Sequence, residues 1–189
     1  MRFAVFAEDE TDAVVLQTII RKLLGNDRAH VPKKGFRGKG NLLKDIPLEI
    51  LSYAIKGATH FVICQDSDGE TPAQVKTRIS NKLSGRSHNH LIYFVAVPVQ
   101  ELEAWLIADE EAIRKAIPSF VLKPQANPEM IPNPKEWLIR RSRINSARPL
   151  YAPATYNQKV ALHLDLEKVA KKCPSFSELK EFVINSTVA

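Results

Sequence analysis

Two carboxylates one residue apart, Asp66 and Asp68, follow the apolar run Phe61-Val62-Ile63-Cys64. On an extended segment alternate side chains point the same way, so this pair can converge on one hard cation. A second acidic group, Glu8, Asp9, Glu10 and Asp12, closes the apolar run Phe3-Ala4-Val5-Phe6-Ala7. If the two runs are parallel neighbours in a sheet, Glu8 reaches the same rim as Asp66 and Asp68, the rim where α/β proteins bind ligands. Three carboxylates there suit Mg2+ or Mn2+, ions that hold phosphates and activate water. Glu101 and Glu103, just past a later apolar run, can join them, with Asp12 in support. Each of these last three reads equally well as an acid placed at a helix amino terminus, and Asp66-Ser67-Asp68-Gly69 by itself also reads as a solvated turn.

The elements that must position these acids follow from periodicity. Residues 2 to 7, 61 to 66 and 91 to 97 are nearly continuous apolar strands, a pattern that implies cover on both faces. A short strand at Ala29 to Pro32 is expected before a basic, glycine-rich loop at 33 to 41. Helical period appears from Asp12 to Leu23, with Gly25 as a stop, and helices are expected from Pro47 to Lys56, from Pro72 to Leu83 and from Pro98 to Asp109. Strands alternating with helices predict an α/β fold, a Rossmann-like three-layer α/β/α sandwich on a four-stranded, mainly parallel sheet. Beyond residue 117 the prolines at 118, 124, 128, 132 and 134 mark a long connection. A short basic helix at 135 to 143, a longer one at 157 to 172 and a last one at 177 to 184 follow. The expected division is an α/β domain at 1–117 and a helical extension at 118–189 packed on its core.

The 189 residues are enough to bury a sizeable core, and the formal charge of +6 points to a polyanionic partner or to an ordinary soluble surface. No stretch is apolar for long enough to cross a bilayer, and the early Glu8 interrupts any signal-like start, so a cytoplasmic protein without membrane attachment is expected. Cys64 and Cys173 form neither a disulfide framework nor a zinc set and read as reduced thiols. His88 and His90 lack further ligands nearby and read as surface residues. Trp105 and Trp137 each lie on an apolar helical stripe and read as core anchors.

Phe6-Ala7-Glu8-Asp9-Glu10-Thr11-Asp12, with the later strand ending in Asp66-Ser67-Asp68, resembles the signature of the Toprim domain. That domain is the metal-binding module of topoisomerases, bacterial primases and the overcoming-lysogenisation-defect nucleases. Val97 to Asp109 and Cys173-Pro174-Ser175-Phe176 further resemble a stand-alone Toprim-like family of bacterial proteins, some associated with phage defence. The resemblance implies Asp66 and Asp68 as metal ligands, Glu8 as ligand or proton carrier, and Asp12 as a supporting group. It implies a Mg2+- or Mn2+-dependent nuclease acting on nucleic acid, DNA ahead of RNA, in phage defence or DNA repair, with a possible protein partner such as an ATPase. One position departs from the pattern: Asp9 stands where the domain usually has Gly, removing backbone freedom at the turn and adding a charge beside the site.

Two basic segments can track a phosphate backbone: Arg37 and Lys39 in the glycine-rich loop, and Arg140, Arg141 and Arg143 in the segment from Lys135 to Arg148. Two other readings stand beside the nuclease. One is a non-catalytic Toprim-like binding subunit of a larger complex. The other is a haloacid-dehalogenase-like phosphatase, which Asp66-Ser67-Asp68-Gly69 resembles, although Glu70 intervenes before Thr71 and the strand is not the first.

Overall fold

The computed structural model describes residues 1–143 and 148–188. Strands β1 (Phe3–Ala7), β2 (Lys33–Gly35), β3 (His60–Cys64) and β4 (Ile92–Ala96) form one sheet in the order β2-β1-β3-β4. Every pairing is parallel, with Phe6 opposite both Lys34 and Ile63, and Cys64 opposite Ala96. The chain runs from β1 outward to β2 through α1 (Glu10–Leu23). It then returns past β1 to β3 through α2 (Lys39–Ile55), and α3 (Pro72–Lys82) leads on to β4. The direction of winding therefore reverses between β1 and β3, which makes the crevice at their carboxyl ends the switch point of the sheet.

Strand alternation sorts the core into two layers. Phe3, Val5, Ala7, Val62 and Cys64 pack with α1 on one face, and Ala4, Phe6, Phe61 and Ile63 pack with α2 and α3 on the other. This is the three-layer α/β/α sandwich that the doubly apolar strands predict. Beyond β4 come α4 (Glu103–Ile107), α5 (Glu110–Ala116), α6 (Pro134–Arg141), α7 (Pro153–His163), α8 (Leu166–Lys172) and α9 (Pro174–Val188). Val160, Val169, Phe176, Leu179 and Val183 from this extension enter the same core as β1 and α1. The two stretches that carry the finer family resemblance meet here: Trp105 Nε1 donates to Ser175 Oγ at 2.9 Å, and Phe176 packs edge-on against the indole.

Four elements differ from the expectations. The second strand falls at Lys33–Gly35, inside the expected basic loop. Its alternating side chains are both lysines, Lys33 paired with Glu10 on α1 and Lys34 with Glu49 on α2, so no apolar period marks it. Lysines on a short edge strand also guard it against further pairing. Helix α2 begins at Lys39, leaving Pro47 inside it, because Leu42, Ile46 and Ile50 form one buried face. The single helix expected from Pro98 to Asp109 is an irregular turn followed by α4, with Asp109 capping α5. The helix expected over 157–172 is broken at Leu164 and Asp165, where the Asp165 carboxylate caps α8.

Gly35 is the glycine that the site cannot replace. A Cβ there would lie 2.2 to 2.4 Å from the backbone of Asp9 and Glu10, where β2 crosses the start of α1. Gly40, in the first turn of α2, has nothing within 4 Å of such an atom. Gly35→Ala is therefore expected to lower unfolding free energy by roughly 1–3 kcal/mol through overpacking. Gly40→Ala is expected to raise it by roughly 0.4–1 kcal/mol through chain entropy. Urea unfolding of the two variants checks the opposite signs; two equal effects would refute the close approach.

Candidate functional site

Strand β3 stops at Cys64, and Asp68 adopts a left-handed backbone with φ 47°. The segment after β4 holds this turn in place. Gln65 N–H donates to Ala96 O at 3.1 Å, Ser67 N–H to Pro98 O at 3.1 Å, and Gln100 N–H to Ser67 Oγ at 2.8 Å. The extended alternation that would align two acids is thereby lost. Asp66 turns inward and accepts the Leu102 amide on Oδ1 at 3.1 Å, whereas Asp68 turns to the mouth and pairs with Lys39 at 3.3 Å. As the side chains stand, Asp66 and Asp68 therefore bond to different partners.

Strand parity explains where the other acids go. Odd positions of β1 face α1, so Glu8 follows Ala4 and Phe6 to the α2 side, where Lys39 and Asp68 lie. On β3 the even positions face α1, and Asp66 follows Val62 and Cys64 to that side, beside Asp12 of α1 and Glu103 of α4. Burial, then repulsion from Asp12, Glu103 and Glu8, holds Asp66 well above the carboxylate range. Burial, with Asp9 and Glu103 adding repulsion, pushes Asp12 up to about 8. Glu8 is raised by burial and by Asp68, with Lys39 opposing. Glu103 is raised by burial although Lys135 and Asn157 pull it down.

The extension supplies the groups that answer these acids. Lys135 Nζ lies 3.9 Å from Glu103 Oε1, and its pKa is raised because attraction to Glu103, Glu101, Asp12 and Asp66 outweighs the burial that lowers it. Tyr151 O–H donates to Asn157 Oδ1, and Asn157 Nδ2 donates to Glu103 Oε1 at 3.0 Å. Glu101 is not part of the inner group. Its Oε2 accepts the Lys135 backbone amide at 2.8 Å and so caps α6, whose own N-cap residue Asn133 makes no side-chain bond. Nothing in the local spacing of Lys135, Tyr151 and Asn157 connects them to strand ends far away in the chain. The one cue was the position of Lys135 at the start of the basic helix.

Asp9 sits at φ −138°, ψ 174°, extended backbone open to any residue, and its side chain accepts the Asp12 amide at 2.9 Å. The departure from Gly thus removes no freedom that the turn uses; it provides the cap of α1. Arg37 is exposed, and Lys39 is the basic-loop residue that touches the carboxylates. Arg140 and Arg141 occupy the last turn of α6, with Arg143 exposed just beyond; residues 144–147 of that basic segment lie outside the described residues. His88 bonds through Nε2 to the Pro47 carbonyl at 2.9 Å, a packing role. Cys64 and Cys173 are free and buried.

A hard divalent ion suits the donor chemistry of this rim. Glu8 Oε1 and Glu103 Oε2 are buried without hydrogen-bond partners, and the donors are carboxylates throughout. As the side chains stand, no three His, Cys, Asp or Glu among the described residues converge closely enough to hold an ion. The inner acids instead face the ammonium of Lys135.

Fold and site together define an α/β protein whose parallel sheet carries a buried carboxylate cluster at its switch point. Residues 7–183 match the model of the family described as a domain of unknown function, DUF4276, and the chain belongs to that family. Neither a curated protein nor a solved structure matches it. No helix among the described residues is long and apolar enough to cross a membrane.

Acids with raised pKa keep protons in the folded chain that the unfolded chain has released, so rising pH works against folding until the folded-state value is passed. With Asp12 at about 8, the melting temperature of the chelator-treated protein is expected to fall between about pH 5 and about pH 8. Asp12→Asn should flatten that slope. A melting temperature that climbs across the window in both proteins would contradict the buried-acid arrangement.

Proposed function

We propose that this chain is a Toprim-like, Mg2+- or Mn2+-dependent phosphodiester hydrolase acting on nucleic acid, DNA ahead of RNA. We place it in the cytoplasm, in phage defence or DNA repair, with a protein partner such as an ATPase. The observation that carries the reading is the pair Glu8 and Asp66 at the ends of adjacent parallel strands, flanking the switch point, with a buried Glu8 oxygen that has no partner. Glu8, Asp66 and Asp68 would hold the ion, with Asp12 and Glu103 behind. When bound, such an ion supplies positive charge to a phosphoryl oxygen and makes water a better nucleophile.

The chain's own residues account for the rest of the chemistry. Glu8, its pKa raised by burial and by Asp68, is shifted in the direction a proton carrier needs. Lys39 is shared between Asp68 at 3.3 Å and Glu70 at 4.0 Å, so an arriving phosphate can take over its charge at the mouth. Arg37 extends that positive edge. Lys135 draws the pKa of Glu103 down against the larger upward effect of its burial.

One observation favours a second reading, a non-catalytic nucleic-acid-binding subunit: Asp66 and Asp68 diverge, and Lys135 already offsets the inner acids. Hydrolysis of labelled single- and double-stranded DNA and RNA, with either metal, separates the two. The hydrolase predicts that Glu8→Gln and Asp66→Asn each lower the rate by about a hundredfold or more while the protein stays folded. Turnover that survives both substitutions would sink it, and binding without turnover under every condition would support the subunit.

A further inference from the structure

The two tryptophans divide in the structure. Trp105 has no exposed surface and packs against Phe176. Trp137 is half-buried and packs against the main core, beside its fully buried neighbour Leu138 on α6. The Trp137 ring lines an open pocket of about 250 Å³, together with Val121, Lys123, Gln125 and Arg141. The Arg141 guanidinium lies over the indole, 5.3 Å from its centroid. Val121, at 77% exposure, holds an apolar side chain out in water at the pocket edge. A volume below the usual range for drug-sized ligands suits a single ring system.

The charge of the pocket narrows its occupant. Its charged lining residues are Lys123 and Arg141, with Arg140 and Arg143 exposed close by on the same stretch of chain, and no carboxylate among the described residues lines it. Gln125 is anchored through Nε2 to the Lys123 carbonyl at 2.8 Å and has an amide oxygen to accept from a base edge. An aromatic face, a guanidinium plane and cations without a facing acid are what a base and its phosphates require. We propose that this pocket is a base-stacking subsite for single-stranded nucleic acid, in which a base stacks on Trp137 and Arg141 while Lys123 and Arg140 meet the adjoining phosphates. The proposal takes its class of occupant from the nucleic-acid reading above but does not depend on hydrolysis. Lys135 and Arg141 are six residues apart on α6, about 9 Å along the axis, so a strand seated here lies within reach of the acids.

Because Trp105 is buried, tryptophan emission quenched by a ligand reports Trp137. The full chain, in chelator, is titrated with oligothymidylate, with a duplex of equal length and with thymidine monophosphate. Emission is followed alongside the anisotropy of labelled oligonucleotide. Oligothymidylate is expected to quench and to bind more tightly than either alternative. Trp137→Ala should weaken binding about tenfold or more. Lys123→Ala and Arg141→Ala, both at exposed positions, should weaken it as well without disturbing the fold. Absent quenching, equal binding of duplex or mononucleotide, or affinity unchanged by both exposed substitutions would overturn the subsite. Quenching without hydrolysis in Mg2+ upholds the pocket and counts against the hydrolase; hydrolysis without quenching does the reverse.

Discussion

Carboxylates taken out of water at one end of a parallel sheet must be protonated, bonded or paired, and the carboxyl edge of this protein is arranged around that demand. Asp66 meets it with the Leu102 amide, Glu103 with Asn157 and Lys135, and Asp12 by keeping its proton to about pH 8. Each answer draws in a different stretch of chain: the turn after β4, the first turn of α6, and α7. Taking away any one would leave a buried acid unanswered, which costs more than an exposed ion pair contributes. The segment beyond residue 117 is therefore tied to the strand ends by electrostatics as well as by the shared apolar core.

Parity divides the acids between the faces of the sheet. Because β1 and β3 are in parallel register with Phe6 opposite Ile63, the residues just past their ends fall on opposite sides. Continuing that register puts Glu8 beside Gln65, a fully buried residue whose side-chain amide also has no partner. Glu8 and Gln65 face the α2 layer, while Asp66, Asp12 and Glu103 face the α1 layer. The outer side is a network of alternating charge, in which Arg78 holds Glu70 and Lys39 bridges Glu70 and Asp68. On the inner side Asp12 and Glu103 are buried and Asp66 is half-buried.

The sequence displayed β1 and β3 plainly, because burial on both faces writes a continuous apolar run, and β4 is apolar along its length although Ile92 at its start is exposed. Strand β2 was hidden because its two alternating contacts are lysines bound to acids on different layers. The start of α2 was hidden because Pro47 resembles a first-turn proline, while the buried face of Leu42, Ile46 and Ile50 begins earlier. Acids at the ends of β1 and β3 were legible as types and positions. Their divergence was not, since it follows from the backbone of Asp68 and from hydrogen bonds to residues 96–100. Lys135 and Asn157 were out of sight for the same reason: a contact closed over a long separation leaves no local period.

Lys135 sets the terms for anything else that enters the inner side. Its backbone is fixed by the bond to Glu101 and by the buried Pro134 before it, yet its charge rides on a flexible four-carbon stem. A cation approaching Asp66 and Glu103 must displace that ammonium or share the acids with it, and the stem allows the displacement without moving α6. An anion approaching from the mouth finds the opposite situation, since Lys39 is held by carboxylates exposed enough to release it. The same helix that fixes Lys135 carries the half-buried Trp137 and the exposed Arg141 that lies over its ring. The open pocket and the lysine that answers the inner acids therefore share one short helix.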